Sequence, residues 1–355
     1  ALAVFSLGQV AWSQGRYEQA GLRFRDALAL YRETGDVYGE ASALHGLGLV
    51  ALQEGRYEDA SDCFWRAAAL CDEIGDRASQ ARALSNLGVI KRRQGHYREA
   101  ADYLEQSLAA SREIGDRSGE GTTLCRLGVV GVRLGRYQQA RDYLQQGLAV
   151  SREIGSSADE ATALCWLGVP VMYLGHHQLA ASYQQRALAM FRESGERSGE
   201  AIALNWLAVV ELRRGRHKQA TRLQLQALAM FREIGERPGE ASALNGLGEI
   251  FLATGQPGGA RLKHVAALVM ASQTGDRFEQ ARAHRGLGHA CQSMGDVRQA
   301  RRYWQEALAI YAAVGVPEAD QLRTLLTETK SRTELRRADL AQEPGVDGGH
   351  DEAER

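Results

Sequence analysis

The chain has 355 residues, 44% of them hydrophobic and 25% charged, and 43 basic residues against 44 acidic ones leave a formal net charge of −1. That balance gives no overall field to draw the chain onto nucleic acid or an anionic membrane, so any basic site has to be local. No apolar run approaches the roughly 18 residues that a membrane-spanning helix needs.

All but four of the basic residues are arginine, a composition that points to a GC-rich bacterial genome. The five cysteines (Cys63, Cys71, Cys125, Cys165, Cys291) form no C-x-x-C pair, and their odd number argues against a disulfide framework and for a reducing cytosol. The chain opens at Ala1 without Met or an export pattern, inside what reads as a helix, and the expectation is a fragment with something removed upstream.

From the N-terminus onward one pattern repeats every 40 residues without an insertion: Leu7, Gly15, Ala20 and Gly35 each recur in eight copies, down to Leu287, Gly295, Ala300 and Gly315. Such self-similarity is the signature of a stacked repeat architecture. In the second unit, Ala43, Leu44, Leu47, Val50 and Ala51 follow the 3,4-spacing of one helix face until Gly55 interrupts. Ala60, Phe64, Ala67, Ala68 and Cys71 mark a second helix that ends at Gly75. Each unit is therefore predicted to be a helix-turn-helix, with both turns closed by a left-handed glycine. Asp36, Asp76, Asp116 and Asp276 follow the second glycine as N-caps, and Glu40, Glu120, Glu160, Glu200 and Glu240 favour the positive end of the helix that follows. The small residues of the Gly8 and Ala20 columns are placed where two helix axes approach closely.

Two units depart from the pattern. Pro170 falls inside the first helix of the fifth unit and is expected to kink it. Pro257-Gly258-Gly259 opens the second helix of the seventh and weakens it. The eight repeats occupy residues 1–316; a segment at 317–337, with Leu322, Leu325 and Leu326 on one face, is expected to be a capping helix, and 338–355 a disordered tail.

Leu7, Gly8, Gly15, Tyr17, Ala20, Phe24 and Ala27 resemble the tetratricopeptide consensus, and the likeness recurs in all eight units. The usual proline after the second helix is absent, its place taken by residues such as Arg32, Asp72 and Arg112, which stretches the repeat beyond the usual 34 residues. Repeats of this length resemble those of kinesin light chain and LGN-type scaffolds. The phrases REIGDRSGE and LGRYQQA are similar to repeat arrays at the C-terminus of AfsR-like actinobacterial regulators with an NB-ARC nucleotide switch. The resemblance implies an all-α, right-handed superhelical solenoid whose first helices line a concave groove, and a function in protein binding.

Columns 3, 4, 7 and 8 of the 40-residue unit form the buried stripe, so columns 2, 5, 6, 9, 12 and 13 are expected to face the groove. The residues this selects are Arg93, Arg126, Arg133, Trp166, Tyr173, Asn205, Trp206, Arg213 and Asn245. Arginines there can clamp carboxylates of an acidic peptide, and asparagines can bond an extended peptide backbone. The same residues admit a plainer reading: arginines complementing the helix dipole, tryptophans packing on the neighbouring helix, asparagines solvated.

No catalytic constellation is present: there is no H-E-x-x-H, no phosphate-binding G-x-x-x-x-G-K-[ST] and no G-x-S-x-G. His176-His177 has no ligand at metal spacing, and no cofactor is implied. Cys125 and Cys165, at equivalent positions of adjacent units, are expected to be reduced groove residues. The function expected is a scaffold binding a protein or peptide, the sensor or partner-binding part of a larger bacterial regulator. The alternatives are a peptide-pheromone receptor module that switches an attached domain, and a self-associating solenoid; nucleic acid is disfavoured.

Overall fold

A computed structural model describes residues 1–329. The expectations for 330–337, the end of the terminal helix, and for the tail at 338–355 lie outside the described residues. Eight helix pairs follow in order: α1 (Leu2–Ser13) with α2 (Tyr17–Thr34), α3 (Val37–Gln53) with α4 (Tyr57–Glu73), α5 (Arg77–Arg93) with α6 (Tyr97–Glu113), α7 (Arg117–Arg133) with α8 (Tyr137–Glu153), α9 (Ser157–Tyr173) with α10 (His177–Ser194), α11 (Arg197–Arg213) with α12 (His217–Glu233), α13 (Arg237–Ala253) with α14 (Pro257–Thr274), and α15 (Arg277–Ser293) with α16 (Val297–Val314). A further helix, α17, starts at 318 and continues to 329. The architecture is an all-α, right-handed superhelical solenoid, with no strand among the described residues.

Every turn uses the same backbone device. The sixteen glycines of the Gly15 and Gly35 columns all have φ between 68° and 89°, a region in which a Cβ would press on its own carbonyl. At Gly55 the glycine N–H donates to the Leu52 carbonyl and the Arg56 N–H to the Ala51 carbonyl at 2.9 Å, which satisfies the helix end. The next helix is capped as the sequence predicts: the Asp36, Asp76, Asp116 and Asp276 carboxylates each accept the N–H three residues on, at 2.9–3.1 Å.

The glutamates at the start of each first helix have a second role that the sequence reading missed. Glu40, Glu120, Glu160, Glu200 and Glu240 receive Arg32, Arg112, Arg152, Arg192 and Arg232 from the end of the preceding helix, with Nε–Oε1 distances of 2.7–2.8 Å. The arginines stand where the consensus proline would be. Each partly exposed pair contributes only about 0.2–1 kcal/mol, but recurrence at five joints ties successive units in the same register.

Inside each pair, a small stripe on the first helix receives one large side chain from the second. A Cβ on Gly48 would lie 2.8 Å from the Phe64 ring, and one on Gly288 would lie 2.2 Å from the Trp304 indole. The Ala20 column is fully buried in all eight copies. Pro170 is accommodated without breaking α9, whose last turn still closes through the Leu174 N–H to the Pro170 carbonyl at 2.9 Å. Pro257 takes the first turn of α14, where a proline costs no hydrogen bond.

Successive first helices approach one another, α7 with α9, α9 with α11 and α13 with α15, and no two second helices come as close. The row therefore curves toward its first helices, which form the inner face. It curves far enough to touch itself. One buried cluster joins Tyr97, Leu104 and Leu127 of the third and fourth pairs to Phe278, Trp304, Tyr311 and Leu322 of α15, α16 and α17. Gly95 leaves room for Val314, 2.8 Å from where its Cβ would stand, and Gly135 does the same for Pro317 at 2.7 Å.

Ala180, fully buried in its column, tests the close-approach argument. Ala180→Leu is expected to lower the unfolding free energy by about 1–3 kcal/mol through overpacking, read by urea denaturation; an unchanged midpoint would refute it.

Candidate functional site

The inner face carries the residues of columns 2, 6, 9 and 13. At its middle, Tyr137 and Tyr173 stack with centroids 4.5 Å apart and planes 3° apart, and the Arg213 guanidinium lies 5.7 Å from the Tyr173 centroid. Trp166 and Trp206 meet edge to face at 6.1 Å, half-buried against the core, which is the packing reading of these two residues. Arg133 sits 3.9 Å above the Phe278 ring and so belongs to the self-contact of the superhelix. Arg93 is exposed. Its neighbour Arg92 is pushed down to about 10 by burial and by the Arg93 and Arg133 charges.

At Cys125, Cys165, Asn205 and Asn245, column 5 does not face the groove. Asn205 is 6% exposed and its Oδ1 accepts from Gln224 Nε2 at 2.6 Å. Asn245 is fully buried: its amide donates to the Glu279 carbonyl at 3.0 Å and to Glu279 Oε2 at 2.9 Å, and its Oδ1 faces His264 Nδ1 at 2.9 Å. Both asparagines are committed to side chains within the fold, so the backbone-clamp reading is corrected. Cys125 and Cys165 are corrected in the same way: both are buried and free, their thiols pushed up to about 12 by burial. The physical reason is that at these positions column 5 points at column 24 of its own pair. Gln184 Nε2, at that column, bonds the Cys165 carbonyl at 2.7 Å, and the Phe24 ring meets Phe5 at 5.4 Å.

Sequence reasoning also missed an ionic network across the last two pairs. Arg282 Nε lies 2.8 Å from Glu249 Oε1, Arg282 Nη1 3.3 Å from Glu279 Oε2, and Arg285 Nη2 3.2 Å from Glu249 Oε1. Burial alone would raise the Glu249 carboxyl, but Arg282 and Arg285 outweigh it and hold it at about 2. The signal was opposite charge in columns 2 and 9 of adjacent first helices. Beside this network a cavity of about 340 Å³ lies between α13, α15 and α17, lined by Glu249, Arg285, His289, Gln321 and Leu325 among others.

A larger cavity, about 440 Å³, opens between α5 and α7 with α6 beneath. Its rim is Arg82, Asn86 and Arg126; its floor includes Ser107 and Ser111. Arg126 Nη1 donates to Ser85 Oγ at 2.6 Å and to Asn86 Oδ1 at 3.4 Å, and Arg82 donates to Ser79 Oγ at 2.8 Å. Of the nine predicted residues, Arg126 is the one this cavity includes. No cluster of three or more histidine, cysteine or carboxylate side chains among the described residues could hold a metal ion, and no described helix is long and apolar enough to cross a membrane.

Helix pairs stacked in register around a polar inner face define a helical-repeat binding scaffold. The family is the tetratricopeptide repeat, whose model matches residues 39–113, 115–193 and 199–271, well over half of the chain; the chain belongs to that family. No curated protein matches the sequence. Among solved structures, the Rap conjugation gene regulator of plasmid pLS20, in complex with the Phr* peptide, aligns at 14% identity over 80% of this chain and 76% of its own, with a TM-score of 0.66. The apo form of the quorum sensor NprR from B. thuringiensis aligns at 13% identity over 87% and 86%, with a TM-score of 0.64. A signal transduction ATPase with numerous domains and a tetratricopeptide repeat sensor, from Pyrococcus horikoshii, aligns at 17% identity over 92% of this chain and 48% of that one, with a TM-score of 0.53. These similarities are of fold.

The buried His264–Asn245 pair makes stability depend on pH. Burial lowers His264 from 6.5 to about 4, so the unfolded chain takes up the proton first. The stability this contributes is full above 6.5 and is lost as pH falls through 4. His264→Gln places at column 24 the residue already present at Gln184 and Gln224. The variant is expected to retain stability at pH 7.5 and to lose about 1–3 kcal/mol less than the parent on acidification from pH 6.5 to 4, by urea denaturation; equal losses would show that His264 is not the titrating group.

Proposed function

We propose that this chain is a protein-interaction scaffold that holds an extended peptide, or a segment of a partner protein, on the inner face of its solenoid. On this reading it is the sensor or partner-binding part of a larger bacterial regulator working in the cytoplasm. Residues 1–316 are the binding array, and the helix after them is its closing element. The observation that carries the reading is the crevice between α5 and α7, where two arginines stand without an ion pair although the Asp116 carboxylate is among its lining residues. Among the described residues Arg82 and Arg126 form no ion pair, whereas the arginines that fasten the joints are matched to carboxylates. An acidic segment laid along the third and fourth pairs supplies the missing charge, and Asn86 offers its backbone a hydrogen bond. The similarity to a regulator solved with a peptide, and to a quorum sensor, supports the same reading.

A peptide-display selection tests it. The parent chain is expected to enrich a motif containing Asp or Glu, and the double variant Asn86→Ala/Arg126→Ala to bind the selected peptides at least about tenfold more weakly, the loss of one to two charge-assisted hydrogen bonds. Equal enrichment by parent and variant would move the site off this crevice.

The self-contact of the superhelix favours a second, compatible reading, in which the ligand changes the superhelix pitch and so switches an attached domain. Arg133 over Phe278 is the polar element of that contact. Phe278→Ala is expected to cost about 1–2 kcal/mol and to enlarge the radius of gyration in solution scattering. A selected peptide should shift the parent's scattering curve and leave the variant's in its open form; identical curves with and without peptide would leave a static scaffold.

A further inference from the structure

At each of the seven joints, column 31 of a second helix meets column 39 at the start of the following first helix. The pairs of residues are matched in size. Tyr31, Phe191 and Phe231 each lie against a glycine: a Cβ on Gly39, Gly199 or Gly239 would come within 2.2, 2.5 and 2.4 Å of the respective ring. Where column 31 is small, at Cys71, Ser151 and Ala271, column 39 carries a side chain instead: Ser79, Asp159 and Glu279. One joint breaks the match. Ser111 stands opposite Gly119, so the glycine that makes room for a ring is present and the ring is not; the nearest neighbours of a Cβ there are the capping Asp116 carboxylate and, at 2.9 Å, the Ser111 hydroxyl.

The vacated volume is the inner end of the 440 Å³ cavity, which is lined by both Ser111 and Gly119 and opens to the inner face at Arg82 and Arg126. Its base is hydroxylic. Ser107, 1% exposed, replaces the alanine or glycine of the other units, donates to the Ala81 carbonyl at 2.8 Å and lies 3.3 Å from Thr123 Oγ1. Ser111 is also 1% exposed, and its hydroxyl has no hydrogen-bond partner among the described residues. The slot therefore matches the place a ring takes at the other joints, with a hydrogen-bonding end, the Gly119-capping Asp116 carboxylate on its wall and two guanidiniums at its mouth.

We infer that this slot is a specificity pocket for a tyrosine side chain of the bound peptide, an inference that rests on the inner-face reading above. The ring lies on Gly119 as Phe191 lies on Gly199, the phenol oxygen exchanges a hydrogen bond with Ser111, and Arg82 and Arg126 present their charge to the ring. A phenylalanine would leave the Ser111 hydroxyl without a partner. A carboxylate would engage the arginines at the mouth and leave the ring-sized volume empty.

The test uses the full chain and side-chain analogues as probes: p-cresol for tyrosine, toluene for phenylalanine, propionate for an acidic side chain and phenyl phosphate for a phosphorylated ring, each titrated by NMR. p-Cresol is expected to bind with a dissociation constant of about 1–10 mM, as befits eight heavy atoms, and toluene more weakly. Ser111→Phe supplies the missing ring from within, with Gly119 there to accept it. It should melt no lower than the parent and weaken p-cresol at least tenfold. Ser111→Ala keeps the slot open, and with it toluene should bind as well as p-cresol. Toluene equal to p-cresol in the parent, preference for propionate or phenyl phosphate, or p-cresol binding unchanged by Ser111→Phe would each overturn the assignment. Display peptides that lack tyrosine and bind parent and Ser111→Phe alike would sink the slot while leaving the inner-face reading intact.

Discussion

A left-handed residue at each of sixteen turns ends one helix and aims the next, and it does so at an interval of 20 residues with nothing inserted. The angle between helices is thereby set by backbone sterics before any side chain packs. Packing then only has to agree. The Ala20 column lets the two helices of a pair close up, the Gly8 column admits one large side chain between them, and the arginine–glutamate joints hold each pair to the next. Because the geometry is identical at every step, curvature accumulates without correction, and that is what brings the eighth pair onto the third and fourth.

The repeating part of this design was legible in the sequence. Turn glycines, N-cap aspartates and the close-approach columns each have one physical reading, and eight copies of each remove ambiguity. The inner face was legible only in part. Column 5 sits at the edge of the buried stripe, where a helical wheel alone does not decide between groove and neighbour. The sequence did hold a clue: Gln184, Gln224 and His264 place polar groups in a column that elsewhere carries Phe, Leu or Trp. A buried polar side chain needs a partner, and Cys165, Asn205 and Asn245 stand ready in column 5. The contact between Arg133 and Phe278 left no comparable trace. It depends on pitch summed over four pairs, which no local pattern records.

Charge along the inner face is unevenly compensated. Around α13 and α15 the arginines are met by Glu249 and Glu279 inside the fold, while between α5 and α7 Arg82 and Arg126 have only neutral acceptors. On the proposed reading, interior neutralisation at one end and guanidiniums without a carboxylate partner at the other would give an extended ligand a preferred direction. The formal charge of the whole chain, −1, conceals this difference.

Solenoids are ordinarily one-dimensional in the thermodynamic sense: each unit feels its neighbours, and stability is a sum of local terms along the row. The contacts of Val314 with Gly95, Pro317 with Gly135 and Phe278 with Arg133 break that rule here. They add a coupling between units far apart in sequence, so the stretch from the third pair to the eighth forms a loop that must open before any of its members can unravel separately. The first two pairs lie outside the loop and retain the graded, end-first fraying of a linear array. One chain of uniform repeats thus contains two regimes of cooperativity, and the boundary between them falls just ahead of the crevice that carries the unpaired arginines.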